Sequence, residues 1–279
     1  MKKSLTLSLI IPVYNEENHL GDCLESIASQ TVMPDEVIVV NNNSTDRTAE
    51  IAHTFSFVKI IHEEKQGLTP ARNRGFEEAE GEILGRLDAD SVLEPDWVET
   101  ARGIFKDKDI DAITGPAKVL VDSHFPNWKT VFWSRLYFWF ALAEFRFQVL
   151  WGPNMAVRRR AWNDVREELC GDDHLVHEDQ DLSVILKAHG KNIKYIKNLL
   201  ISTDGRRQAY LPKALEYNQR HRSTMKLHKK QSTLYTARQK GCISYLRAKS
   251  IFIGLLPAAF LFGIFSGVYS LERKLGLHE

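Results

Sequence analysis

At 279 residues, 43% apolar and 26% charged, the chain is long enough and apolar enough to bury a full core, which excludes a disordered polypeptide and a disulfide-stapled miniprotein. Its three cysteines, Cys23, Cys170 and Cys242, show neither pairing nor metal-ligand spacing, as expected in a reducing compartment or at least without a disulfide framework. The formal net charge of +1 conceals an asymmetry, because residues 206–249 carry twelve Lys/Arg against one Glu beside an acidic body. Such a block implies an anionic partner.

In chain order, residues 5–11 read as a first strand stopped by Pro12. Their apolar stretch is short, alternates, and lacks a small-residue cleavage site, which argues against a signal peptide. Leu20, Leu24, Ile27 and Ala28 give helical spacing over 16–29, and EVIVV (36–40) is a β-branched strand that stops at Asn41. STDRTAEIAHTF (44–55) starts with capping residues and continues as a helix, and FVKIIHE (57–63) is a third strand. TPARNRGFEEAEG (69–81) reads as a helix with Thr69 as N-cap, Pro70 in the first turn and Gly81 at its close. EILGRLDAD (82–90) is a fourth strand, holding Asp88 and Asp90 on one face, and PDWVETARGIF (95–105) is a helix.

Four strand–helix alternations with short connections predict an α/β fold built on a parallel, doubly wound sheet. Ligands of such sheets bind beyond the carboxyl ends of the strands. The loops Pro12–Glu17, Asn41–Asp46, Glu63–Thr69 and Asp88–Ser91 are therefore expected to line one crevice.

Further on, DAITGPAKVL (111–120) reads as one more strand. Residues 128–151 are dense in aromatics interrupted by Arg135, Glu144 and Arg146. They form either an amphipathic helix on a membrane or greasy groove, or an aromatic core helix. IFIGLLPAAFLFGIFSGVYS (251–270) holds no charge, and as a helix it would reach about 30 Å, the thickness of a bilayer core. It is expected to span the membrane or re-enter it; a buried or interfacial helix is the alternative. The chain thus divides into a body (1–205), a basic helical region (206–250), the apolar segment (251–270) and a tail (271–279), with the body expected at the cytoplasmic face of the cell membrane, where leaflet anions would meet the basic block.

IIPVYNEE, VVNNNSTDRT, GLTPARNRGFEEAEGEILGRLDAD, GPNMAVRR and HEDQDLSVIL, in that order, resemble the family 2 glycosyltransferases over about residues 5–200. The resemblance implies a GT-A fold, with a mainly parallel mixed sheet and flanking helices, that inverts an anomeric carbon while moving a sugar from a nucleotide-sugar donor to a lipid-linked or saccharide acceptor. Asp88-Ala89-Asp90 matches the family's D-x-D motif, which implies Asp90 as ligand of a divalent cation, Mg2+ or Mn2+, and Asp88 against the ribose or a metal-bound water; taken alone, the pair reads as a solvated turn. Pro12, Tyr14 and Glu16 match the nucleotide pocket, or else are a strand-ending proline and a capping acid. Asn42 falls where the commoner pattern has an aspartate accepting the uracil N3–H. An amide also donates, so the base stays open. Asp46 is a base contact or a cap. Arg72 shapes the donor site or forms a surface salt bridge. His177-Glu178-Asp179 resembles the E-D motif, with Asp179 as general base and Glu178 as the alternative. The plain reading is an acidic helix start. Trp151 and Asn154 match the acceptor border, and Arg206 and Arg207 a loop near the phosphates. Gln219-Arg220-His221-Arg222 is followed by Ser223, without the Trp of the processive Q-x-x-R-W pattern, which implies transfer of single sugars.

Two other readings compete. A nucleotidyltransferase would open with a glycine-rich phosphate loop, which IIPVYNEEN lacks. A non-catalytic protein binding anionic membranes through 206–249 is the other. Few aromatics interleave that block, so no nucleic acid is expected as partner. Oligomeric state is not encoded legibly.

Overall fold

Apolar side chains at nearly every position of LSLIIPV let β1 (Leu7–Val13) run through a sheet covered on both faces. Leu7, Leu9, Ile11 and Val13 enter one apolar cluster and Ile10 the other, and β2 (Glu36–Asn41) alternates likewise, Val37 and Val39 against Ile38 and Val40. The computed structural model describes residues 5–119, 127–203 and 211–241. Arg206, Arg207 and the apolar segment 251–270 lie outside the described residues.

The other strands are β3 (Val58–His62), β4 (Ile83–Leu87), β5 (Ser91–Leu93), β6 (Ala112–Thr114), β7 (Ala117–Val119), β8 (Asn154–Arg158), β9 (Ile193–Tyr195) and β10 (Ile201–Thr203). A seven-stranded sheet takes the order β3-β2-β1-β4-β8-β6-β9, and a three-stranded sheet takes β5-β10-β7. The pairs β1–β2, β2–β3 and β1–β4 are parallel, while β8 lies antiparallel between β4 and β6. The sheet is thus mixed and mainly parallel in its first half, with helices α1 (Leu20–Ala28), α2 (Thr48–His53), α3 (Leu68–Glu78) and α4 (Trp97–Ile104) as its crossovers. Later come α5 (Asn127–Phe145), α6 (Arg159–Asn163), α7 (Glu178–Ala188), α8 (Leu211–Lys230) and α9 (Thr233–Gln239).

Several local expectations are corrected. β1 does not stop at Pro12 but continues to Val13, with Pro12 opposite Val40. Pairing with β4 has already ended at Ile10 opposite Arg86, so on that side the missing proline N–H interrupts no ladder. Thr69 does not cap α3, which begins at Leu68; its N–H and hydroxyl both go to the carboxylate of Asp173, 104 residues downstream. The expected strand 111–120 is two strands in different sheets, broken at Gly115-Pro116. A Cβ on Gly115 would lie 1.9 Å from the Leu199 carbonyl oxygen, so only glycine lets the strands pass. In α5, Leu136, Phe138, Ala141 and Phe145 are buried while Phe132 and Trp139 are each 52% exposed, giving a helix that is apolar on its outer as well as its inner side and not the amphipathic one expected. No helix among the described residues is long and apolar enough to cross a membrane.

Asn154 joins the two sheets. Its Oδ1 accepts the Trp97 indole N–H at 2.9 Å, and its Nδ2 donates to the carbonyls of Pro116 (3.1 Å) and Leu199 (2.8 Å). The donor-only indole and the acceptor-only carbonyls fix the orientation of the amide. Asn154 is fully buried, with both amide hydrogens and its oxygen engaged. It therefore serves the scaffold and does not reach an acceptor sugar, contrary to the sequence expectation. Asn154→Ala strands one buried donor and two buried acceptors. At about 1–3 kcal/mol each, partly relieved by relaxation, the expected loss is about 3–5 kcal/mol in a denaturant titration. Asn154→Asp, unable to donate, is expected to fare no better.

Candidate active site

The carboxyl end of β4 and the first turn of α7 supply the site's charges. β4 stops at Leu87, and Asp88-Ala89-Asp90 forms a turn into β5, closed by a hydrogen bond from the Ser91 N–H to the Asp88 carbonyl at 3.0 Å. The pair is therefore presented by a turn and not by the pleat of a strand. Two residues upstream, on the face shared with Asp88, Arg86 is only 1% exposed. Its Nη2 meets Asp88 Oδ1 at 2.6 Å and its Nη1 meets Glu178 Oε1 at 2.6 Å. One buried guanidinium thus ties the end of β4 to the start of α7.

Antiparallel pairing of β4 with β8, Leu87 opposite Asn154, draws the loop Trp151-Gly152-Pro153 over the same spot. A Cβ on Gly152 would stand 1.6 Å from Arg86 Nη1, so the guanidinium fills the space a side chain would need. The Gly152 N–H donates to Asp179 Oδ2 at 3.0 Å, and the Gln180 N–H donates to Asp179 Oδ1 at 2.7 Å. From behind, Arg72 Nη1 donates to the Glu178 carbonyl at 3.0 Å, and Asn73 Oδ1 holds its other two nitrogens.

Neighbours and equally buried, the two carboxyls diverge. Burial alone would raise Glu178, but Arg86 and Arg72 outweigh it and hold that carboxyl below its usual range. Burial, reinforced by the adjacent Glu178 charge, pushes Asp179 up to about 6. His177, the residue before them, stacks on Tyr217 of α8 with ring centroids 5.1 Å apart, and its Nε2–H donates to the Tyr217 carbonyl at 2.9 Å. Near the D-x-D turn the Cys23 thiol is raised by burial and next by the charges of Asp90 and Asp88, so the potential there is negative.

The remaining expected residues divide. Tyr14 is 51% exposed in the loop after β1, Pro12 is buried in the strand, and Glu16 is buried, its N–H donating to Thr48 Oγ1 at 2.8 Å. Asn42 is buried and pins the loop after β3: its amide hydrogens go to the carbonyls of Glu63 and Lys65, each at 2.8 Å, and its oxygen takes the Gly67 N–H at 2.8 Å. It has no amide hydrogen left to offer a base. Asp46 accepts from the Thr48 and Glu17 N–H groups, in a capping role. Arg72 is fully buried beneath α7 and does not form a salt bridge on a helix surface, a correction to that reading of it. Trp151 is partly buried against the core cluster. Asp90 is partly exposed. A depression of about 250 Å³ beside α3, flanked by Lys65, Arg74 and Gly171, contains none of the clustered carboxylates.

Sequence reasoning passed over Arg86, Gly152, Tyr137 and His228. The signal for Arg86 was present, a lone charge in the apolar run ILGRL at two residues from Asp88. Tyr137 is 39% exposed over the whole residue, but its hydroxyl is enclosed beside Gln180, and burial first and the Asp179 charge next raise it. His228 Nε2 meets Asp181 Oδ1 at 2.8 Å with both side chains 1% exposed, and nothing in the spacing of two residues 47 apart announces that.

Comparison with known proteins agrees with this architecture. The model for "Glycosyl transferase family 2" matches residues 8–164. The glycosyltransferase AglE of Haloferax volcanii is 38% identical over 128 residues, 43% of this chain and 41% of that protein, so the match spans less than half the length of this relative. Among solved structures, a Pyrobaculum calidifontis mannosyltransferase in complex with GDP-Man and Mn2+ superposes with a TM-score of 0.64 at 18% identity, covering 96% of this chain and 81% of that one. S. aureus TarS in complex with UDP-GlcNAc superposes with a TM-score of 0.60 at 18% identity, covering 92% and 73%. With more than half its length matched by the family model on a GT-A sheet, the chain belongs to glycosyltransferase family 2.

Proposed function

We propose that this chain is an inverting glycosyltransferase that moves a sugar from a nucleotide-sugar donor to a lipid-linked or saccharide acceptor at the cytoplasmic face of a membrane. The observation that carries the reading is the split between Glu178 and Asp179, two adjacent buried carboxyls of which one is held ionised and the other is poised near neutrality. A general base works best with a pKa close to the operating pH. Asp179 takes the proton of the acceptor hydroxyl as its oxygen bonds to the anomeric carbon. The bond from that carbon to the diphosphate breaks on the opposite face, and the nucleoside diphosphate leaves with the electron pair.

The D-x-D turn suits a hard divalent cation, since Asp88 and Asp90 are oxygen donors in a region of negative potential that already raises the Cys23 thiol. Asp90 would hold Mg2+ or Mn2+, which would neutralise charge on the leaving diphosphate, while Asp88, tied to Arg86, would stand against the ribose or a water on the ion. Tyr14, half-exposed in the loop after β1, offers a face for the base, with Pro12 and Glu16 shaping that pocket. The two solved relatives hold different nucleotides, GDP and UDP, which leaves the base of this donor open. Trp151 borders the acceptor side, and Arg206 and Arg207 are proposed to reach the phosphates.

Two surface features support a membrane location. Arg222, Lys226, Lys229 and Lys230 are exposed along α8, a stripe suited to an anionic leaflet. Phe132 and Trp139 are exposed on α5.

Purified protein is expected to hydrolyse at least one member of a UDP- and GDP-sugar panel slowly in Mn2+, with loss of about 100-fold or more in Asp90→Ala. Absence of turnover across the panel by folded protein would overturn the reading. The acid limb of the transfer rate is expected near pH 6, the pKa of Asp179. Because burial raises that carboxyl above its unfolded value, ionising it weakens the fold; the penalty is absent below about pH 4 and complete above about pH 6. Asp179→Asn gives up one of the two oxygens that accept the Gly152 and Gln180 N–H groups, so it is expected to be less stable than wild type at pH 4 and to gain on it by about 3 kcal/mol between pH 4 and pH 8, with transfer slower by about 10²–10⁴-fold. Melting curves at the two pH values, beside initial rates, check both halves.

A further inference from the structure

We infer that Arg86 is a positioning residue, a clamp that fixes the D-x-D turn against the catalytic helix and commits Glu178 to be its counter-ion, leaving Asp179 as the proton acceptor. The inference rests on the glycosyltransferase reading for its catalytic consequence, but its geometry stands independently. Arg86 sends one nitrogen to Asp88 and another to Glu178, each at 2.6 Å, from a side chain 1% exposed. The fork joins carboxylates 90 residues apart in sequence, and a planar guanidinium suits two carboxylates held in this way. Around it the protein has left no freedom. Gly152 has its missing Cβ where Nη1 lies, and Arg72 holds the backbone of Glu178 from the far side.

The same Gly152 donates its N–H to Asp179, so one tripeptide loop packs on the clamp and orients the base. Displacing Arg86 therefore disturbs three things together: the Asp88 end of the donor site, the ionisation of Glu178 and the loop that aims Asp179. A buried ion pair is by itself weak evidence of a stabilising role, because desolvation offsets most of its attraction. What the clamp supplies is relative placement of two half-sites carried on different elements, to which transfer rates are sensitive at the scale of about 1 Å.

The test uses Arg86→Lys, Arg86→Met and Gly152→Ala in the full chain. Carboxyl titrations followed by carbon NMR on the free protein come first, and they need no substrate. In wild type, Glu178 is expected to stay ionised through the pH range in which Asp179 titrates. In Arg86→Met, Glu178 is expected to take up a proton at least about one pH unit higher than in wild type, blurring the order of ionisation of the pair. Arg86→Lys keeps the charge but not the fork and is expected to fall between. Should Arg86→Met fail to fold, Gly152→Ala probes the same contact with the charge retained.

The second arm is kinetic. Arg86→Lys is expected to bind GDP or UDP with Mn2+, whichever wild type binds, within about threefold, while kcat falls about 10–100-fold and the acid limb shifts. Adding Gly152→Ala to Arg86→Lys is expected to cost less than its effect on wild type, because the shorter amine vacates the space the methyl needs. Unchanged titrations with unchanged kcat in Arg86→Lys and Gly152→Ala would overturn the clamp. A shifted Glu178 titration in a protein that turns over no sugar nucleotide would instead uphold the clamp and overturn the glycosyltransferase reading.

Discussion

A single guanidinium, that of Arg86, joins the Asp88 carboxylate after β4 to the Glu178 carboxylate of α7, two stretches of chain 90 residues apart. β4 delivers Asp88 from the middle of a parallel sheet, and α7 delivers Glu178 and Asp179 from the other half of the fold. Burying Arg86 is costly, and burying Arg72 beside it adds a repulsion between like charges; burial and Arg86 together depress the pKa of Arg72, against the pull of Glu178. Glu178 offsets both, through its carboxylate to Arg86 and its carbonyl to Arg72. Burial raises its neighbour Asp179, the adjacent Glu178 charge adds to that, and the lowering pull of His177, the Gly152 N–H and Arg86 does not cancel the two.

Helix α7 is held from the other side by α8. The His177 N–H donates to Thr224 Oγ1 at 2.9 Å, His221 Nδ1 meets Gln180 Oε1 at 2.9 Å, and His228 meets Asp181. Asp181 also accepts the Cys170 N–H at 2.9 Å, so it anchors the loop leading into the helix as well as the helix above it. Consecutive residues from Glu178 to Leu186 are buried, as expected of a helix packed on more than one side. The basic helix α8 and the acidic start of α7 are one packed unit, and anything that orients α8 at a surface also orients α7.

Legibility of the fold in the sequence followed the period of its apolar residues. The four early strands and their crossover helices were readable because sheet and helix each repeat with a fixed period, and because each loop carried turn or capping residues. The details that failed were those set by distant chain. Thr69 looked like a cap because its type suits one, yet Asp173 took the role from the loop before α7. Asn42 and Asn154 looked like ligand contacts because they sit in family motifs, yet buried carbonyls from other loops consume their hydrogens. An amide motif in one dimension does not say whether its partners are backbone or substrate. For Asn42 the choice of amide over acid has a physical account: a carboxylate could not donate to Glu63 and Lys65 at once. The acidic cluster at 177–179 was legible as a site, but the fates of its two carboxyls depend on Arg86 and Gly152, far away in sequence.

Those fates follow from direction and reach together, since consecutive helix residues point about 100° apart. Both residues stand in the first turn of α7, in the same dipole field, and both are buried. The longer Glu178 reaches the guanidinium under the sheet. The shorter Asp179 turns to the Gly152 and Gln180 N–H groups, which are neutral donors and compensate burial only in part. Exchanging the two side-chain lengths would leave the composition and the helix charge untouched while misplacing both carboxyls, one short of Arg86 and one too long for the Gly152 loop. The order Glu-Asp therefore suits both direction and reach: the residue aimed at Arg86 and long enough to touch it becomes the fixed charge, and the one aimed at the Gly152 loop is left with a proton it can exchange near neutral pH.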